Sequence, residues 1–297
     1  RKMWLSVEKK IHETVRAFGC QDLKPTVTPL PTDYQTWYPH EMDKDNPHRV
    51  PDPISGHKFS PLLDRHGHTQ FRQLVGSLQY FAQSLRPDIA YAANALAQVA
   101  HCPRERHWKA ALHCLRYLSG TAELSLCYSA DGGAYLQGYS DSDFAGCAGS
   151  RKSTTGWVFL FAGSPICWKS KKQDVITLSS CEAEFRALTA ATKEALWLRQ
   201  LFEVLGYPPE RPVPIFCDNE ATVRISRDPV CRSRTRHVAL SFLYVRQEQA
   251  AGKVLVIPIK SNRQVADYLT KPVTADVFRC CMNLAGQVLA PSGSKGE

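Results

Sequence analysis

The chain has 297 residues, 43% hydrophobic and 22% charged, which is long enough for two compact domains and too ordinary in composition for wholesale disorder. Against 28 Asp and Glu stand 37 Lys and Arg, a net charge of +9 shared between both halves; that favours a broad basic surface and an acidic partner over a basic tail. Eleven scattered cysteines without a CxxC pair fit a reduced, intracellular compartment better than a disulfide framework. No apolar run approaches the ~20 residues that span a bilayer, so no membrane is expected. The chain opens on Arg1 with no signal peptide, which reads as a piece of something longer.

Residues 5–18 predict a helix with Leu5, Ile11, Val15 and Phe18 on one side. Residues 21–68 are rich in Pro, Asp and His and read as an extended surface connection, partly mobile within 33–68. Helical texture returns over 69–119, with Leu74, Leu78 and Phe81 sharing a face, Pro87 and Pro103 near helix starts and Gly120 at a C-cap. From residue 124 the period changes to strands, read as LSLCYS, AYLQGYSDSDF, TTGWVFLFAG and SPICWKSK. A long helix over about 180–205 follows. It starts at a capping box, Ser179 with Glu182, and carries an apolar face that includes Phe185, Leu188, Leu201 and Leu205. Then come the strand PIFCD, the helix EATVRIS, a basic segment, a helix over about 236–250, the strand VLVIPI and a last helix, RQVADYL. A tail from about 285 should fray. This order describes an α/β fold, a mixed sheet with helices on its faces, preceded by a mainly helical region.

Four carboxylates stand out against this frame. Asp141 and Asp143 lie two apart on one strand in GYSDSDFAG and so point to the same face. Glu182 has a local capping use, whereas Glu184 borders the buried face with no local explanation. Asp218 closes an apolar strand at its C-terminal end, where open α/β sheets place their ligand sites, and Asp267 sits early in the last helix. Singly, each has a structural use, as a cap, a turn residue or a surface charge. Jointly, in this order on these elements, they suggest a cage for divalent ions.

The stretches GYSDSDFAG, RKSTTGWVFLFAGSPICWKSKKQ, LSSCEAEFRAL, WLRQLFEVLG, CDNEAT and ADYLTKP, with FRQLVGSLQYFAQSLRPDIAYAAN and LRYLSGT upstream, resemble the C-terminal part of the Pol polyprotein of copia-type LTR retrotransposons. Residues 124–272 are similar to its ribonuclease H domain, residues 1–123 to the thumb and connection at the end of its reverse transcriptase, and 273–297 are left as a tail. The resemblance implies a ribonuclease H-like mixed five-stranded sheet with flanking helices. It also implies metal-dependent cutting of the RNA strand of RNA–DNA hybrids during reverse transcription. Asp141, Glu184, Asp218 and Asp267 would be the catalytic set and would hold two Mg²⁺ (or Mn²⁺) ions, with Asp141 bridging both. Lys169, Lys171 and Lys172, with Arg224, Arg227, Arg232, Arg234 and Arg236, would contact the phosphates of the hybrid. The partner in cis would be the upstream palm of the same polyprotein, and the setting a cytoplasmic virus-like particle or the nucleus.

The chain also departs from the family pattern. The loop KSNRQ before the last helix lacks a histidine, and Ala239 and Leu243 follow His237 where an acidic residue and a second histidine are usual. These changes leave open a second reading, a degenerate or domesticated remnant that binds nucleic acid without cutting it. Tyr139-Ser140-Asp141-Ser142-Asp143 is not a Y-x-D-D motif and no two aspartates are adjacent, so the polymerase palm is absent from this chain. The group His101, Cys102, His107, His113 and Cys114 fits no standard zinc spacing. Trp157, Trp168 and Trp197 read as core residues.

Overall fold

Strand-forming runs, the central one (TTGWVFLF) buried at nearly every position, turn the middle of the chain into a sheet covered on both faces. In the computed structural model, which describes residues 1–37, 60–133, 135–147, 150–227 and 239–289, the strands β3 (Gln137–Asp143), β4 (Thr154–Phe161), β5 (Ser164–Lys172), β6 (Val213–Cys217) and β7 (Val254–Pro258) form one five-stranded sheet. Its order is β5-β4-β3-β6-β7, with β3, β4 and β5 antiparallel and β3, β6 and β7 parallel. This is the ribonuclease H-like mixed sheet that the resemblance implied. Strand β4 shows how the layers separate: Trp157 and Phe159 face one core, Val158 and Leu160 the other. The first core is closed by the helices α5 (Ser180–Val204), α6 (Glu220–Arg227) and α7 (Ala239–Ala250).

The other face of the sheet packs on the helical half. Helices α1 (Glu8–Ala17), α2 (Arg65–Ser84), α3 (Ala90–Gln98) and α4 (Glu105–Gly120) contribute Ile11, Leu74, Leu96 and Leu115 to a single core shared with Val158, Leu160 and Leu269. Trp168 of β5 donates its indole N–H to the Ala82 carbonyl of α2 at 2.6 Å, fixing the sheet edge to the helices. Asp64 caps α2 by accepting from the Gly67 N–H at 2.7 Å, so 65–68 are helical rather than part of an extended stretch. The described part of that stretch is also anchored. Thr28 accepts from His113 at 2.9 Å, and Leu30 and Tyr34 are buried in the core. The remainder, 38–59, lies outside the described residues.

Three expectations are corrected. The LSLCYS strand, β2 (Leu124–Ser129), does not open the five-stranded sheet. It pairs antiparallel with β1 (Lys2–Leu5) on one side and β8 (Gln287–Leu289) on the other. These pairings join the two ends of the chain, and no local periodicity can report them. The expected tail therefore holds a helix, α8 (Ala275–Leu284), and a strand, while RQVADYL forms a 3₁₀ turn, Val265–Leu269, rather than an α-helix. Third, Trp197 lies on the outer face of α5, 52% exposed beside a Leu198 that is 2% exposed, and Leu205 is exposed as well. Trp157 is buried as expected.

One buried ion pair ties α2, α3, α4 and β8 together. Arg86 and Asp88 are fully enclosed, and the guanidinium grips the carboxylate at 2.7 and 2.9 Å while also donating to the Thr121 carbonyl and hydroxyl. Tyr117 donates to Asp88 at 2.8 Å, and Gln287 of β8 donates at 3.3 Å. Every oxygen of the carboxylate is used, which is the condition for burying a charge. We expect Asp88→Ala to lose about 3–5 kcal/mol in urea denaturation because it strands a buried guanidinium. An Arg86→Met/Asp88→Leu double variant should lose less than the single one; the reverse ranking would contradict the pairing.

Candidate metal centre

The parallel pairing of β3 with β6 builds the site. Gly138 lies beside Ile215 and Tyr139 beside Phe216, and continuing that register brings Asp218, just past the end of β6, level with Asp141. Helix α5 crosses the same end of the sheet, and its first turns deliver Glu184. Ser179 caps that helix by accepting from the Glu182 N–H at 3.1 Å, while the Glu182 carboxylate accepts from the Leu178 N–H and pairs with Arg186. Glu182 thus spends itself on the cap, and Glu184 turns inward.

Asp141, Glu184 and Asp218 converge: one carboxylate oxygen from each lies within 4.8 Å of the others. Asp141 is 3% exposed and Glu184 6%. The Ser142 N–H donates to Glu184 Oε1 at 3.2 Å, but Glu184 Oε2 is buried without any hydrogen-bond partner. Three anions in one pocket repel. Burial, reinforced by Asp267 and Asp218 and opposed by Lys271 and Thr270, pushes the Asp141 carboxyl up to about 7. Burial, then Asp141 and Asp218, raises Glu184 well above the usual carboxylate range. An all-oxygen donor set with one orphaned oxygen and unanswered negative charge fits a hard divalent cation such as Mg²⁺ or Mn²⁺.

Asp267 stands beside this group rather than in it. It lies in the 3₁₀ turn, and its Oδ1 is 2.8 Å from Lys271 Nζ. Burial works against the charge on Lys271, but Asp141 and Asp267 outweigh it and hold the ammonium above its ordinary range. Thr270, between the two, donates its hydroxyl to Asp141 Oδ2 at 2.6 Å. This turn can press so close because residue 156, the partner of Asp141 across β4, is glycine; a Cβ there would lie 2.6 Å from Thr270 Cγ2.

Asp143 shares the face of Asp141 yet serves another purpose. Its Oδ2 accepts from Gln35 Nε2 at 2.6 Å, and the carboxylate folds against Gly146, where any Cβ would collide with it. It locks the turn after β3 to the segment that arrives from the helical half. Gln35, Thr270 and Lys271 were missed from the sequence. Of these, only Lys271 left a trace, an Asp and a Lys four apart at 267 and 271.

The expected nucleic-acid contacts divide. Lys169 and Lys171 are exposed on the edge strand β5, Lys172 is half-buried there, and Arg224 is exposed on α6. Arg232, Arg234, Arg236 and His237 lie outside the described residues. Around α4, His113 bonds the Thr28 carbonyl and His107 Nδ1 accepts from the Arg104 N–H, so two of the three histidines in the zinc reading are engaged elsewhere. No helix among the described residues is long and apolar enough to cross a membrane.

The strand order defines a ribonuclease H-like fold, and the carboxylates at the ends of its parallel pair and on the facing helix form an acidic triad compatible with a divalent metal. No family model matches the chain. The retrovirus-related Pol polyprotein from transposon TNT 1-94 of Nicotiana tabacum is 33% identical over 299 residues, covering 96% of this chain and 20% of that protein. The Pol polyprotein from transposon RE2 of Arabidopsis thaliana is 36% identical over 228 residues, covering 77% of this chain and 16% of that protein. Among solved structures, LC11-RNase H1 isolated from compost matches 46% of this chain and 94% of its own at 18% identity, with a TM-score of 0.36. The chain belongs to the Pol polyproteins of copia-type LTR retrotransposons, and it spans a fifth or less of the length of these relatives.

Two outcomes follow from the geometry. A carboxyl raised from 3.8 to about 7 binds its proton more tightly in the folded state, so Asp141 should cost the metal-free chain stability as pH rises from about 4 to about 7, and the raised Glu184 should add to the fall. Thermal unfolding in EDTA should show this fall, and Asp141→Asn should flatten it; an unchanged slope would refute the assignment. Gly146→Ala should cost about 1–3 kcal/mol by overpacking, and most of that cost should vanish in an Asp143→Ala background. Equal losses in both backgrounds would show that the carboxylate is not the obstacle.

Proposed function

We propose that the chain carries the ribonuclease H activity of its polyprotein, the divalent-metal-dependent hydrolysis of the RNA strand of RNA–DNA hybrids. The observation that supports this most is the convergence of Asp141, Glu184 and Asp218, with Glu184 Oε2 buried and unpartnered, in a chain of the Pol family. Asp141, Glu184 and Asp218 would hold the cation. When bound, the metal offsets charge on the phosphoryl oxygens and makes a bound water a nucleophile near neutral pH. The protein's own part is positioning. The Ser142 N–H fixes one oxygen of Glu184, and Thr270 fixes one oxygen of Asp141, so the remaining oxygens present themselves at a set spacing. Lys169, Lys171, Lys172 and Arg224, with Arg232, Arg234 and Arg236, would contact phosphates, giving affinity that falls with salt and reads no sequence. The nuclease unit in this reading is the five-stranded sheet with α5 to α7 and the 3₁₀ turn. Residues 1–123 are the thumb and connection of a reverse transcriptase whose palm lies elsewhere in the polyprotein.

The test is cutting of an end-labelled RNA–DNA hybrid in Mg²⁺ by the chain and by Asp218→Asn. The chain should cut the RNA strand and leave double-stranded RNA and DNA intact. Asp218→Asn should lose at least about 100-fold, the upper end of what losing even an outer-shell partner of a metal costs. Hybrid binding without cutting by either protein would replace this reading with a non-catalytic binding module.

A further inference from the structure

We propose that the cleft between the edge strand β5 and helices α2 and α3 binds an unpaired stretch of nucleic acid, one nucleotide of which enters the cleft. Its volume is about 550 Å³, within the ordinary range of ligand pockets. It is distinct from the metal centre. Ser170 of β5, which lines it, lies level with Gly156 of β4 and through it with Asp141 of β3, two strand spacings or roughly 10 Å away. The turn that carries Thr270 sits over Gly156, between the two sites.

Two polar atoms in the walls of the cleft are unanswered. Ser170 is 9% exposed and its Oγ has no hydrogen-bond partner among the described residues; the same holds for Asn94 Nδ2 on α3. Enclosed polar groups of this kind cost stability until a ligand or water meets them. The walls are also fixed in place, because the Trp168 indole is bonded to the Ala82 carbonyl at 2.6 Å.

The rest of the lining selects the ligand. Ala82, Ala90, Ile166 and the half-buried Trp168 offer an apolar surface to the flat face of a base, and the Asn94 amide suits its edge. Lys169 and Lys171 are exposed at the cleft, where the phosphates on either side of that base would pass. Lys171 stands 3.3 Å from Asp174, but both side chains are exposed, and such a pair yields readily to a phosphate. A duplex keeps its bases stacked inside and would leave Asn94 and Ser170 unanswered, whereas an unpaired strand can turn a base into the cleft. The rival occupant is a peptide strand added to β5, which pairs only with β4 among the described residues. Exposed lysines on an edge strand discourage that pairing and attract an anion instead.

The experiment needs no metal, so its outcome is separate from that of the nuclease reading. The full chain in EDTA is mixed with short fluorescein-labelled single strands, one of RNA carrying 4-thiouridine and one of DNA carrying 4-thiothymidine. Binding is read by fluorescence anisotropy, and crosslinks formed under long-wave ultraviolet light are mapped by mass spectrometry. They should fall within residues 79–94 or 164–172. Asn94→Leu, with Ser170→Ala in its place if the first does not fold by circular dichroism, should weaken single-strand binding about tenfold and change binding of a blunt RNA–DNA hybrid by less than about twofold. Binding of either single strand at the cleft upholds the inference and shows which sugar is accepted. No binding of either strand, crosslinks only elsewhere, unchanged single-strand binding in a folded variant, or an equal loss on the hybrid would overturn it.

Discussion

A buried charge has to be answered by an opposite one, and this chain meets that constraint in two ways. Arg86 and Asp88 answer each other: both are enclosed, every carboxylate oxygen is bonded, and Tyr117, Thr121 and Gln287 complete the set. Asp141, Glu184 and Asp218 do the reverse. They bring three anions together under burial, leave Glu184 Oε2 without a partner, and so raise the carboxyls of Asp141 and Glu184. The first cluster has its charge settled by the protein alone and holds the helical half and the last strand together. The second is offset only in part by Lys271 and keeps its carboxyls raised, which marks it as a candidate site for binding and chemistry.

Strand β3 is where the two halves meet. It sits between an antiparallel and a parallel neighbour, so one of its neighbours can end level with it at the carboxylate end. One face of the sheet is covered by α5 and α7 and the other by the helical half, and the converging carboxylates lie at the end of the sheet between them. The trace of that logic in the chain is the glycine at 156, which admits the Thr270 turn beside Asp141.

Most of this frame was legible because it is local. Strand-forming runs between Gly- and Ser-rich breaks gave β3, β4 and β5, and the Ser179–Glu182 cap assigned Glu182 to the helix start and so freed Glu184 for the site. The order of the four acidic contexts was legible too, although not their distances. What stayed hidden is what depends on contacts between distant segments. Strand β2 looks like any half-buried strand, and its partners β1 and β8 lie near the two ends of the chain. The 3₁₀ turn at 265–269 carries helical residues, yet tertiary packing against β4 overrides that propensity. Gln35 reaches Asp143 across 108 residues, and a lone glutamine in a proline-rich stretch carries no mark of such a contact.

That last contact bears on how separable the nuclease unit is. Asp143 and Asp141 share a face, and on spacing alone they compete for the same role. The structure separates them: Asp141 turns to Glu184 and Asp218, while Asp143 is held by Gln35 and folded over Gly146. The turn after β3 is therefore braced by the helical half. So is the sheet, whose Val158 and Leu160 share one core with α2, α3 and α4 and whose Trp168 bonds Ala82. Cutting the chain at the resemblance boundary near residue 124 would uncover that apolar face and release Asp143 beside three anions that already repel one another. The carboxylate end of the sheet is thus shaped in part by residues that a reading of the nuclease segment alone would discard.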